Sequence, residues 1–363
     1  MKKFAKMSLV AAIAVAGLTS TATAGSLEEA IKGVNISGFV EYRAEKVLKT
    51  KTDVTDEAHH DIDIRLQAVV PVNDQVNAVI RFDETADEDS DGGTLDSNAI
   101  AFDIDRAYFA YNNDGLTVNF GLQGAPLTDG GSGDGVTVSK AFGDVSLSAG
   151  YLFTTSATNA DDVWFLSASG TAGMVSYYAT YAMVDDSDAA DTFGSAADGE
   201  ADTFHAGLSA KFEMVNVAVD YSTLDADAGQ RQSQTKLSLS TTLGAVNLGV
   251  QYAVNGNDGG ETMVDGSDAS ASEISIGALE LTQEGDASAF LLSASVAVGE
   301  KGTAKIRYAD LDGTAARGDL QVIRANYDYQ MSSNFKAYLE YTINDRDGST
   351  KASDYVVGAK YSF

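Results

Sequence analysis

Cysteine is absent from this 363-residue chain, and proline is nearly so, with two residues. Without cysteine there is no disulfide framework, no thiol catalysis and no thiolate metal site. With so little proline, almost nothing interrupts a ladder of paired strands. Apolar runs long enough to span a membrane as a helix are also missing beyond residue 24. The mature chain is therefore predicted to have no spanning helix.

Basic residues are scarce beside acidic ones. The chain has 24 lysines and arginines against 53 aspartates and glutamates, a formal net charge of −29 at pH 7. Nucleic acid is densely negative, so this balance excludes it as a partner. Glycine is abundant at 35 residues, which suits tight turns and small side chains.

The N-terminal segment has the features of an export signal. Three lysines stand within the first six residues, an apolar run extends from Met7 to Leu18, and Ala22-Thr23-Ala24 follows. This order predicts a secretory signal peptide over residues 1–24, cleaved after Ala24. The apolar run is too short for a membrane anchor, which needs about 20 residues. Residues 25–363 are then expected to form one domain.

Alternation with a period of two dominates that domain. In the last ten residues, one strand face would carry Tyr355, Val357, Ala359, Tyr361 and Phe363, and the other Val356, Gly358, Lys360 and Ser362. An exposed apolar face on a soluble sheet invites aggregation, whereas in a membrane barrel it meets lipid while the polar face meets a wet lumen.

About eighteen such runs follow one another, so the fold class predicted is all-β, a transmembrane antiparallel barrel of about 18 strands, with 16 as the alternative. Very short connections alternate with long acidic, glycine-rich ones. Short turns on one rim and long loops on the other are typical of outer-membrane barrels. Two strands fit poorly. In one, either a bulge or a loop that ends near Asp105 is expected, and in the other Lys140 falls on the lipid face, where it would have to reach the rim.

Several short motifs carry a resemblance. Residues 27–38, the stretch from Leu127-Thr128-Asp129 to Gly135-Val136, and the final Tyr361-Ser362-Phe363 resemble the major outer membrane porins of campylobacters and related bacteria. The resemblance implies a homotrimer of eighteen-stranded barrels, a third loop folded into the lumen, and passive passage of small hydrophilic solutes. It also implies that Tyr361 and Phe363 form the signal read by the barrel-assembly machinery. The expected surroundings are the outer membrane lipid bilayer with its lipopolysaccharide, and no cofactor is expected.

The candidate constriction is loop 124–134, which is shorter and richer in glycine than in a general porin, so the pore size stays open. Inward-facing Arg43, Arg65, Arg81 and Arg106 lie on four consecutive strands, and Asp129 and Asp134 would face them from the loop. Such an arrangement makes a transverse field. The alternative is that these arginines merely pair with the wall carboxylates Asp61, Asp63 or Asp83. Further lumen candidates are Glu41, Asp61, Asp63, Lys305, Arg307, Arg324, Asp328, Lys336, Glu340 and Lys360.

The acidic loops predict a preference for cations, because negative vestibules concentrate them. Asp87, Asp89 and Asp91 match the first half of a calcium loop, but Asn98 stands where a bidentate glutamate is needed. No confident metal site follows, and calcium bridging the loops is the milder hypothesis. With three histidines in the chain, an outer-membrane protease is disfavoured. Besides a passive porin, a substrate-selective channel and an acidic surface adhesin stay open.

Overall fold

The computed structural model describes residues 33–49, 57–87, 103–124, 132–155, 162–186, 199–226, 231–260, 274–281, 285–313, 318–348 and 351–363. They form strands β1 Asn35–Lys49, β2 Glu57–Pro71, β3 Val76–Asp87, β4 Asp103–Asn113, β5 Leu116–Gly124, β6 Ser132–Phe142, β7 Val145–Thr155, β8 Asp162–Ala172, β9 Val175–Asp186, β10 Gly199–Phe212, β11 Val215–Ala226, β12 Gln232–Leu243, β13 Val246–Asn255, β14 Ser275–Ile276, β15 Leu279–Glu280, β16 Ser288–Val298, β17 Gly302–Asp312, β18 Leu320–Gln330, β19 Phe335–Arg346 and β20 Ala352–Ser362. Within this described part, no helix has the length and apolar character needed to cross a membrane.

Eighteen of the strands form one closed antiparallel barrel, in which each strand pairs with its neighbours in sequence and β20 pairs with β1. Strands β14 and β15 form a separate small hairpin. The barrel closes where the Gly38 amide donates to the Phe363 carbonyl at 3.0 Å and the Phe363 amide donates back at 3.1 Å. Closure leaves no sheet edge. The prediction of eighteen strands is confirmed, and the alternative of sixteen is wrong.

The connections at the two rims differ in length, as the sequence indicated. At one rim the turns are tight: between β4 and β5, Asp114 and Gly115 have φ of 46° and 72°. Positive φ at both central residues is typical of a type I′ turn, whose twist matches the strands. At the other rim the connections run as long as 88–102 and 256–287. Both ends of the barrel, Asn35 and Ser362, lie at the short-turn rim.

Alternate residues of every strand point away from the lumen, and large apolar side chains occupy many of these positions, so the outer face of the barrel is apolar. Leu339 and Trp164 are 49% and 57% exposed, and Trp164 packs on Tyr151 with ring centroids 4.6 Å apart. On β20, Tyr355, Val357 and Tyr361 are exposed on the same side. This surface suits lipid contact.

The two strands that fitted poorly both have physical explanations. Between β3 and β4 the register shifts at Arg81 and Phe82, opposite Asp105. The bulge lets Asp105 and Arg106 both face inward, and so confirms the sequence prediction. On β6, the Lys140 ammonium donates to the carbonyl of Asp114 at the short-turn rim. The charge thus reaches polar groups outside the apolar zone.

Candidate functional site: the lumen wall

The inner wall divides into two regions of different chemistry. We define the charged arc as the inward-facing residues of β17–β20 and β1–β4. The hydroxyl arc comprises the inward-facing residues of β5–β13 and β16. The wall candidates named from the sequence all lie on the charged arc: Glu41, Arg43, Asp61, Asp63, Arg65, Arg81, Arg106, Lys305, Arg307, Arg324, Asp328, Lys336, Glu340 and Lys360.

On β1–β4, arginines bond to carboxylates across neighbouring strands. Arg43 lies 3.3 Å from Asp61 and 3.6 Å from Asp63. The Arg65 Nε donates to Asp83 at 2.9 Å, and the Arg81 Nε donates to Asp105 at 2.7 Å. Each of these carboxylates belongs to a wall strand next to that of the arginine, and the antiparallel register places it within reach of the guanidinium. This pairing matches the alternative in which the arginines are satisfied by wall carboxylates.

Of the two aspartates predicted to face these arginines, Asp134 is among the described residues, and it does not face them. Asp134 lies in β6, paired with Leu122 and on the same side as exposed Val136. It therefore points outward near the long-loop rim, and its assignment to the constriction was wrong. The reason is that β6 begins at Ser132, three residues before the strand predicted from the sequence. Asp129 falls outside the described residues, as does the rest of 125–131.

A second group of charges surrounds a cavity of about 500 Å³ on β17–β20 and β1. Glu340 on β19 forms ion pairs with arginines of the two preceding strands: its carboxylate is 3.2 Å from Arg324 on β18 and 3.9 Å from Arg307 on β17. Glu41 similarly binds Lys360 at 2.7 Å and the Tyr338 hydroxyl at 2.8 Å. Lys305 lines the same cavity. This part of the wall is thus a network of cations and carboxylates held in fixed positions.

The hydroxyl arc has mainly short uncharged polar side chains. Ser167 and Thr180 share a hydrogen bond of 2.7 Å across β8 and β9, and the Thr242 hydroxyl donates to Asn247 at 2.8 Å. Its described charged residues include Lys211, Asp220 and Lys236, of which Asp220 accepts from the Tyr178 hydroxyl at 2.9 Å. Water in the lumen therefore meets dipoles along this arc and charges along the other.

One element inside the lumen was missed from the sequence. The hairpin β14–β15 packs against the inner wall near the long-loop rim, and its apolar residues Ile274, Ile276, Leu279 and Leu281 are at most 1% exposed. They form one cluster with inward-facing wall residues, namely Ala253, Ala289, Leu291, Ala309, Leu311, Leu320 and Val322. The connection between β13 and β16 thus narrows the lumen. We name residues 274–281 the lumen hairpin.

Hydrogen bonds and a glycine fix the lumen hairpin to the wall. The Ala278 amide donates to the Asn344 side chain at 3.1 Å, and the Asn255 amide group donates to the Leu281 carbonyl. Gly277 has φ of 62°, and a Cβ there would lie 2.6 Å from the Asn344 Oδ1. A larger residue would push the turn off the wall.

A signal for the lumen hairpin was present in the sequence. Leu291, Leu311 and Val322 occupy inward-facing positions, where a water-filled lumen demands polar side chains. Apolar residues at three such positions, all near the long-loop rim, indicate that a chain segment covers them. The alternation Ile274, Ile276 and Leu279, Leu281 within the long connection supplies that segment.

Two other groups of candidates are placed as follows. Of the calcium candidates, Asp89 and Asp91 fall outside the described residues, and the backbone of Asp87 ends β3. Tyr361 and Phe363 of the expected assembly signal both face outward at the short-turn rim, with ring centroids 6.0 Å apart.

Comparison with known proteins agrees with this geometry. The sequence pattern of the Gram-negative porin family matches residues 9–349. No curated protein matches the chain. Among solved structures, OpdQ of Pseudomonas aeruginosa is similar with a TM-score of 0.69 and 13% identity, covering 93% of this chain and 99% of that one. OccK3 of the same organism gives 0.67 and 14%, covering 93% and 98%. OccAB4 of Acinetobacter baumannii gives 0.68 and 9%, covering 91% and 98%.

Proposed function

Since the chain belongs to the Gram-negative porin family, we propose that it forms a water-filled outer-membrane channel through which small hydrophilic solutes diffuse passively. The observation that carries this proposal is a closed eighteen-stranded barrel with an apolar outer face and a polar, charged inner wall. Passive diffusion does not require the protein to make or break bonds in the solute, so we propose that the chain is a channel and not an enzyme.

Planar-bilayer recording of the purified protein tests the proposal. We expect discrete conductance steps that scale with salt concentration, and vesicles containing the protein should swell in small sugars. Protein that is folded but adds no conductance to the bilayer would contradict the proposal. An adhesin without a channel would give that result.

A substrate-selective channel is the second candidate, and the wall itself favours it. Charges lie on one arc and dipoles on the other, and the lumen hairpin narrows the path near the loops. Charges fixed across a narrow wet passage orient dipolar solutes. Saturable block of the ion current by one class of solute would distinguish this candidate from a general porin.

We further propose that the channel prefers cations. Aspartates gather at the long-loop rim, including Asp202, Asp225, Asp310, Asp312 and Asp347, whereas the charged arc mixes both signs. A negative vestibule raises the local concentration of cations. The reversal potential in a gradient of KCl checks the sign, and an anion-selective value would overturn it.

Assembly and environment are proposals of the same kind. The chain would form a homotrimer surrounded by lipid and lipopolysaccharide. The barrel-assembly machinery would recognise Tyr361 and Phe363, whose aromatic rings point outward at the C-terminus. Native gels of the unheated, detergent-extracted protein test the trimer.

Calcium bridging between the acidic loops predicts that adding a chelator lowers the Tm of the protein. The narrower likeness to campylobacter porins stays a prediction.

A further inference from the structure

The hydroxyl arc and the end of the charged arc enclose a niche of about 430 Å³ on β4–β8. Six inward-facing side chains that line it have complementary chemistry: Arg106, Tyr108, Asn119, Thr137, Ser148 and Phe165. A cation thus stands at one side of the niche, an aromatic ring stands at another, and uncharged polar groups lie between them.

Arg106 is the most weakly paired of the four predicted constriction arginines. Within the described part of the chain its one ion pair is a 4.0 Å approach of Nε to Asp105, whose carboxylate already accepts from Arg81 at 2.7 and 2.8 Å. Its guanidinium is packed over Gly124, where an added Cβ would lie 2.9 Å from Nη2. The described residues therefore compensate the positive charge of Arg106 only weakly, and this charge is held beside the niche.

The Phe165 ring lies beside Gly150 of the neighbouring strand β7. A Cβ added at Gly150 would meet the Cε1 and Cζ atoms of this ring, and would lie 2.9 Å from the Thr137 methyl group. The ring therefore fills the space above a glycine on β7 and lines the niche. The face of an aromatic ring attracts the slightly positive C–H groups of a solute.

The polar groups between Arg106 and Phe165 are held in place. The Thr137 hydroxyl donates to the Gln123 side chain at 2.7 Å, and the Gln123 amide donates to the Gly135 carbonyl at 3.1 Å. Ser139 and Ser148 face each other across β6 and β7. Hydroxyl and amide groups at fixed positions suit a solute with several hydroxyl groups.

We propose that this niche is a subsite for small hydroxylated carboxylates, that is, sugar acids. The carboxylate of the solute binds the Arg106 guanidinium, which favours planar anions. Its C–H face lies on Phe165, and its hydroxyl groups bond to Asn119, Thr137 and Ser148. This inference rests on the proposed channel function and adds the class of solute.

Current block in planar bilayers tests the subsite. With the purified full-length protein in KCl, glucuronate should reduce the current saturably. Glucose lacks the carboxylate and benzoate lacks the hydroxyl groups, so each should require at least a tenfold higher concentration for the same block. Arg106→Gln should raise the half-blocking concentration of glucuronate about tenfold, since it removes the charge-assisted hydrogen bonds to the carboxylate. Phe165→Leu should raise it severalfold.

The matched control is Lys211→Gln, which removes the same charge from the lumen near the short-turn rim and should change the half-blocking concentration less than twofold. If Arg106→Gln does not insert, Gly124→Ala, which displaces the guanidinium, should weaken the block in the same direction. A channel without saturable block by glucuronate, equal block by benzoate, or equal effects of Arg106→Gln and Lys211→Gln would each overturn the subsite. Absence of any channel would instead overturn the proposed function.

Discussion

The charged arc and the hydroxyl arc are built from strands with the same alternation, yet they present different surfaces to the lumen. On the charged arc, long side chains bond across strands, as Arg324 does to Glu340 at 3.2 Å. On the hydroxyl arc, short side chains bond to each other, as Ser167 does to Thr180 at 2.7 Å. Alternation therefore determines which residues face water, whereas the field in the lumen depends on which polar residues occupy those positions.

The lumen hairpin covers the seam between the two arcs. It packs on Ala253 and Ala289 at the end of the hydroxyl arc and on Leu311 and Val322 at the start of the charged arc. At the level of the lumen hairpin, part of the lumen boundary is formed by residues 274–281, which do not belong to the barrel strands. A solute therefore meets the narrowed passage before it reaches the fully polar wall below.

The largest expected effect comes from placing a charge on the outer face of a strand whose inward-facing residues belong to the hydroxyl arc. Leu239 faces outward at the middle of β12, so Leu239→Arg should lower the free energy of unfolding by about 2–4 kcal/mol. The neighbouring Ser238→Arg faces the lumen and should cost far less. Urea titration in lipid vesicles, followed by the fluorescence of Trp164, the single tryptophan, measures both. Equal losses would disprove the assignment of faces.

The next effect concerns the seam. Leu279→Asp places an unpaired carboxylate where Leu279 is 0% exposed, so the lumen hairpin should leave the wall, with a loss of about 2 kcal/mol and a higher single-channel conductance. Leu279→Met keeps the apolar volume and should leave the conductance unchanged. If the aspartate variant conducts like the parent, the hairpin does not narrow the path.

The smallest effect is the difference in stability between removing one bond of the charged arc and removing one bond of the hydroxyl arc. Asp105→Asn removes the charge that Arg81 pairs with, and both side chains are at most 20% exposed, so we expect a loss of about 2 kcal/mol. Ser167→Ala removes a neutral hydrogen bond on the hydroxyl arc and should cost about 1 kcal/mol or less. The same urea titration ranks them. A larger loss for Ser167→Ala would contradict the view that charge pairing stabilises the first arc more strongly.

Several features of the site were predictable because they depend on local order along the chain. The inward positions of Arg43, Arg65 and Glu340 follow from parity, and the bulge at Asp105 follows from a break in that parity. The choice between wall and loop carboxylates as partners of the arginines did not follow, because cross-strand register decides whether Arg81 meets Asp105 or a loop residue. Asp134 was misplaced for a similar reason: glycines around it hid the early start of β6.

By itself, the sequence determined that this protein is a barrel with an apolar outer face, a polar lumen, and short connections at one rim but long ones at the other. These features follow from period-two alternation and turn spacing, which are properties of neighbouring residues. Only the tertiary structure decided which charges pair, how the wall divides into two arcs, and that the connection between β13 and β16 folds inward. These outcomes depend on residues far apart in the chain, such as Ala278 and Asn344, which closure of the barrel brings together. Their contact energies are set by register and packing, which strand alternation alone does not specify.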